Sequence, residues 1–184
     1  ADTEHFQIAF EAFEKGLSPR TAAVLINTPN NPSGTVYSAE TIRTLARILD
    51  RKSREYGHEI YLISDEPYRE IVFGGVEAPF VAAGYANTLT CYSFSKSLSL
   101  PGERIGYVAV NPACKDAAKI VQMCAQISRE TGHNCPASLI QLAVAEHLEE
   151  TADLRVYETN KEILYRELLD LGFSCVEPVG TIYL

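Results

Sequence analysis

The sequence predicts an α/β protein with a largely parallel sheet and helices on both faces. Two observations lead to this reading. First, several short runs are apolar without alternation: Ala22 to Asn27 (AAVLIN), Glu59 to Ser64 (EIYLIS), Thr88 to Ser93 (TLTCYS) and Arg104 to Val110 (RIGYVAV). Such runs mark strands buried on both faces. Second, these runs alternate with stretches of helical periodicity, the pattern of strand–helix–strand units.

Taken in order, residues 6–15 (FQIAFEAFEK) predict a short helix closed by Gly16. After the first strand, Thr28 to Gly34 (TPNNPSG) is dense in turn formers and reads as a loop. Ser38 suits a helix N-cap, with Glu40 in the first turn and Gly57 as the stop. Between them Ile42, Leu45, Ala46 and Leu49 recur at helical spacing. Pro112 opens a further predicted helix, with Ala117, Ile120, Val121, Cys124 and Ile127 on one stripe. Pro136 opens another, carrying Leu139, Ile140, Ala143, Val144 and Leu148. Residues 152–171 predict a long amphipathic helix stopped by Gly172, and Phe173 to Val176 a last strand before the Pro178–Gly180 turn. The expected division is a main domain over 1–151, then a connecting helix and the beginning of a smaller domain over 152–184.

The 184 residues are 46% hydrophobic and 22% charged, which excludes disorder, collagen and coiled coil. No apolar run approaches the roughly 20 residues a membrane helix needs, so no membrane partner is expected. The net charge of −8 argues against a broad nucleic-acid-binding face. Cys91, Cys114, Cys124, Cys135 and Cys175 are odd in number and form no CxxC, which suits buried thiols in a reducing compartment rather than a disulfide frame. With no signal-peptide pattern, the cytoplasm is the expected location. The chain begins without Met and ends in the apolar run Gly180–Leu184, so a fragment of a longer protein is expected.

Ligands of such sheets sit beyond the C-terminal ends of the strands, which singles out three loops. In the first, Pro29 and Pro32 stiffen a turn that holds out Asn31. In the second, Asp65 directly follows an apolar strand, where a carboxylate is costly unless paired with a cation or strong donor; Tyr68 adds a phenol three residues on. The third, Tyr92 to Tyr107, carries four serines, Lys96 and, eight residues later, Arg104. Hydroxyls and a guanidinium are what a phosphate dianion needs, and a lysine beside a second cation can serve as a nucleophilic amine. Each loop alone also fits an ordinary turn, a helix cap or a solvated lysine. Jointly they offer an amine for an aldehyde, a carboxylate for a pyridinium, phenol and amide donors for a phenolate, and a phosphate cradle. That inventory matches pyridoxal 5′-phosphate group by group.

The succession NNPSG, SDEPY, SFSK and LPGERIGY resembles the fold-type I, aspartate-aminotransferase-like superfamily of pyridoxal-phosphate enzymes, class I/II. The resemblance runs through nearly the whole chain, including the final PVGTIYL, which is similar to the family's strand of the small domain. It implies a three-layer αβα large domain. By the same resemblance Lys96 forms the Schiff base with the cofactor and moves the 1,3-proton, and Asp65 pairs with the ring nitrogen. Tyr68 and Asn31 hydrogen-bond the ring oxygen, Asn31 also helps hold the substrate carboxylate side, and Ser93, Ser95 and Arg104 bind the phosphate. Pro101 and Gly102 shape the turn that presents Arg104.

The family's N-terminal phosphate loop and stacking aromatic, and its carboxylate-gripping Arg in the C-terminal domain, have no counterpart in this chain. The resemblance implies a cytoplasmic homodimeric transaminase acting on an amino acid and a 2-oxo acid, with the isolated chain weak or inactive. A lyase or synthase of the same fold, and a pyridoxal-phosphate-sensing domain of a transcription regulator, remain open. His5, His58, His133 and His147 make no HExxH or other metal-ligand spacing, and Walker A, GxGxxG and GxSxG patterns are absent.

Overall fold

The computed structural model describes residues 4–184. Four strands form one sheet in the order β1 (Ala23–Asn27), β2 (Tyr61–Asp65), β3 (Thr88–Ser93), β4 (Gly106–Val110). β1, β2 and β3 run parallel, whereas β4 returns antiparallel to β3. The register sets Asn27 beside Asp65 and Asp65 beside Cys91, so the three parallel strands end at one edge. Asp65 is the last residue of β2 rather than the first beyond it.

One face of the sheet is closed by α2 (Ala39–Tyr56) and the short α3 (Val81–Gly84). The predicted caps of α2 are present: the Ser38 hydroxyl accepts from the Thr41 N–H, and Gly57 ends the helix in the left-handed region at φ 74°. Its stripe Ile42, Leu45, Ala46 and Leu49 packs with Ile26, Ile60, Leu62, Val81 and Tyr85 into the main core. At roughly 25 cal/mol per Å2 of apolar surface, this is where most of the burial energy resides.

The other face is partly covered by α5 (Ala117–Glu130), and Leu25 on it stays 68% exposed. A cleft of about 340 Å3 lies between Ala23, Ile63 and Leu89 of the sheet and Ile120 and Met123 of α5. The stripes expected of α5, of α6 (Ser138–Glu146) and of α7 (Leu154–Asp170) are only partly buried: Val144 of α6 packs with Phe94 and Ile105 and Leu154 of α7 against Tyr68, whereas Leu139 is 77% exposed. No helix among the described residues is long and apolar enough to cross a membrane.

Several expectations need correction. The first helix, α1 (Phe10–Gly16), starts four residues late, because Phe6 sits at φ 53°, outside helical space. α5 starts at Ala117 rather than after Pro112. The Asn111 carboxamide oxygen accepts from the Ala113 N–H and that of Asn87 from the Lys115 N–H, which holds this stretch as a turn. β4 starts at Gly106, since Arg104 is left-handed at φ 51°.

The strand expected over Phe173–Val176 does not form, and PVGTIYL makes only one bridge, Val72 to Gly180. Instead Pro178–Tyr183 folds back on the loops of the sheet edge. The Gly34 carbonyl accepts from the Val179 and Gly180 N–H groups, at 3.0 and 2.9 Å, and Thr181 N–H donates to Ile71 O at 2.8 Å. Gly34 has φ 66°, and a Cβ there would stand 2.5 Å from Pro178 Cβ, so the contact requires glycine. The five thiols are free, but only Cys114 is buried, and Cys135 is exposed.

Candidate functional site

The sheet edge where β1, β2 and β3 end gathers most of the singled-out residues. Asp65 is half-buried, and burial pushes its carboxyl above the ordinary range. Its Oδ2 accepts from Asn27 Nδ2 at 3.2 Å, and no cation lies within ion-pair distance among the described residues. Asn27 in turn accepts from the Asn31 N–H at Oδ1, 2.7 Å away. Asn31 Nδ2 donates to the Tyr68 hydroxyl at 3.4 Å.

Tyr68 is buried with Ile71 and Phe73 beneath Leu154, Tyr157 and Tyr183. Burial, then a hydrogen bond to Tyr183, pushes its phenol well above the usual tyrosine range. Lys96 lies on α4 (Phe94–Ser97), a single turn directly after β3, and its Nζ sits 5.8 Å from the centre of the Tyr68 ring. A continuous line thus runs Asp65, Asn27, Asn31, Tyr68, Lys96.

The anion-binding candidates are arranged differently. Ser93 caps α4: its hydroxyl accepts from the Ser95 N–H at 3.1 Å and donates to the Ser95 hydroxyl at 2.7 Å. Arg104 is exposed, and its Nη1 donates to the Pro101 carbonyl at 2.7 Å. No hydrogen bond among the described residues joins it to either serine. The backbones nonetheless hold the two loops together. Ser93 pairs with Gly106, and the Phe94 N–H donates to Ile105 O at 3.2 Å. A Cβ on Gly106 would stand 2.3 Å from Tyr92 O, so glycine allows this close approach. Arg104 borders a cleft of about 550 Å3 that Cys91, Tyr92, Cys124 and His133 also line.

Two residues of this edge go unselected in the sequence reading. Asn27 becomes visible once the parallel register seats it beside Asp65. Tyr183 meets Tyr68 only through a contact 115 residues apart, for which sequence holds no local signal.

Chemically, the edge presents a half-buried carboxyl, an amide hydrogen-bonded to a phenol, a primary amine beside them, and a group of donors, the carboxyl without a cation and the donors without an anionic acceptor among the described residues. Residues 1–184 match the family model described as aminotransferase class I and II. An aspartate aminotransferase of Geobacillus stearothermophilus is 33% identical, over 100% of this chain and 46% of that protein. A crystal structure of an amino transferase from Eubacterium rectale superposes with a TM-score of 0.95 at 49% identity, covering 98% of this chain and 46% of that one. A Thermus thermophilus aspartate aminotransferase double mutant gives a TM-score of 0.79 at 29% identity, over 96% and 45%. The chain spans about half the length of the curated relatives it matches.

Proposed function

Since the chain belongs to the aminotransferase class I and II family, we propose that its protein is a pyridoxal-phosphate-dependent transaminase. It would move an amino group between an amino acid and a 2-oxo acid. The observation that carries this is the line from Asp65 to Lys96 at one sheet edge. The residues fit the cofactor: Asp65 is a half-buried carboxyl lacking a cation, and Ser93, Ser95 and Arg104 are donors without an anionic acceptor.

When bound, pyridoxal phosphate supplies an aldehyde that takes up the amino group and a ring that draws electrons from the bond being deprotonated. The chain's residues do the rest. Asp65 holds the proton on the ring nitrogen, and the Asn27 amide fixes one carboxylate oxygen and leaves the other for this partner. Tyr68 and Asn31 donate to the ring oxygen. Ser93, Ser95 and Arg104 hold the phosphate, Arg104 turning from the Pro101 carbonyl to a charged acceptor. Lys96 Nζ is the covalent anchor and the base that carries the substrate's α-proton.

The same reading assigns 1–151 to the large domain and 152–184 to the start of the small one, in a cytoplasmic homodimer. Relatives named for aspartate and for aromatic amino acids make these the first donors to assay. The test is trapping: incubate the full-length protein with pyridoxal phosphate, reduce with borohydride, digest, and locate the label by mass spectrometry. A pyridoxyl group on Lys96 is expected; label elsewhere or none overturns the assignment. Transfer of 15N from the amino acid to the 2-oxo acid then separates transamination from elimination.

A further inference from the structure

The Tyr68 hydroxyl has two neighbours and a single proton. Asn31 Nδ2 donates to its oxygen at 3.4 Å, and the Tyr183 hydroxyl lies 3.1 Å away as the acceptor of its proton. The Tyr68 and Tyr183 rings meet edge to face, with centroids 5.8 Å apart. Tyr183 is not loosely placed. Its N–H donates to the Thr181 hydroxyl at 3.2 Å, and Thr181 is itself 1% exposed and anchored to Ile71 O. No other hydroxyl among the described residues is hydrogen-bonded to the Tyr68 oxygen.

We propose that Tyr183 is a positioning residue whose hydroxyl sets the direction in which Tyr68 points its proton. This rests on the assignment of Tyr68 to the cofactor's ring oxygen. Without a ligand, Tyr68 donates to Tyr183. For Tyr68 to donate to a ligand oxygen, its proton must turn away, and the Tyr183 hydroxyl rotates to donate to the Tyr68 oxygen in its place. No bond other than hydrogen bonds breaks, and the count of donors and acceptors stays balanced. The reversed bond polarises Tyr68 and makes it the better donor, as chains of hydroxyls do. Tyr183 thus acts through Tyr68.

The test uses full-length protein and the variants Tyr183→Phe, Tyr68→Phe and the double variant. In the holoenzyme, the pH midpoint of the bound cofactor's visible absorbance is expected to rise by about half a unit in Tyr183→Phe, the worth of one weakened hydrogen bond. It should rise further in Tyr68→Phe, and removing Tyr183 as well should add nothing. An unchanged midpoint in Tyr183→Phe, or an equal further rise in the Tyr68→Phe background, overturns the proposal. A second measurement is independent of the cofactor. In apo protein labelled with 13Cζ-tyrosine, the Tyr68 resonance, assigned from Tyr68→Phe, must move in Tyr183→Phe; if it stays, the hydrogen bond is absent and the proposal fails. Trapping on Lys96 in the same samples reports separately on the cofactor assignment.

Discussion

The two halves of the sheet edge are organised in opposite ways. Asn27, Asn31, Asp65 and Tyr68 are already joined to one another, whereas Ser93, Ser95 and Arg104 are donors that settle for hydroxyl and backbone acceptors. The difference is one of chemistry. Amides and phenols supply both donors and acceptors and a carboxylate supplies acceptors, so they can satisfy each other before any ligand arrives. A guanidinium has donors only and must borrow a carbonyl until an anion comes. Preorganisation is thus expected in the half proposed to orient the cofactor ring, and rearrangement in the half proposed to grip its phosphate.

The largest effect should come from the joined half. In full-length protein, Asp65→Asn leaves the Asn27 contact possible but removes the charge opposite the ring nitrogen, so turnover should fall about a thousandfold. Single-turnover amino-group exchange measures this; a loss under tenfold would remove Asp65 from the mechanism. Next is the close approach that joins the two loops of the second half. Gly106→Ala drives a methyl into the Tyr92 carbonyl and should cost about 2–3 kcal/mol in urea unfolding. A third variant isolates the other half: Arg104→Gln should weaken pyridoxal phosphate about tenfold to a hundredfold while leaving binding of pyridoxal, which lacks the phosphate, unchanged. Equal losses for both ligands would contradict a phosphate role.

The smallest effect concerns Asp65 in the apo protein. Burial raises its folded-state carboxyl above the unfolded value, so the folded state binds more protons between the two. Stability from this group therefore falls as pH rises through that window and is restored below it. Urea midpoints measured from pH 4 to 7 should drift apart, with Asp65→Asn gaining on the wild type as pH rises.

Much of this edge is readable from residues alone. The run Glu59–Ser64 announces a buried strand by its short length and lack of alternation, and a carboxylate directly after it announces a partner. Ser38 and Gly57 bound α2 because capping is local chemistry. The start of α5 is not readable in this way. It is decided by Asn87 and Asn111, whose carboxamides take backbone N–H groups, one of them from a distant element. The apolar Phe173–Val176 run misleads for a related reason, since a strand exists only where a neighbouring backbone pairs with it. The contact of Tyr183 with Tyr68 depends on how the end of the chain folds back, and no periodicity encodes that.

The carbonyl of Gly34 holds two amides, those of Val179 and Gly180, while Ile71 holds a third, that of Thr181. The loop bearing Asn31 and the segment after Tyr68 are consequently tied to one strap. Free energies of coupling are reciprocal. Whatever steadies the ring-facing half must slow solvent deuterium uptake at residues 179–181, and whatever pulls on the strap must loosen that half in equal measure.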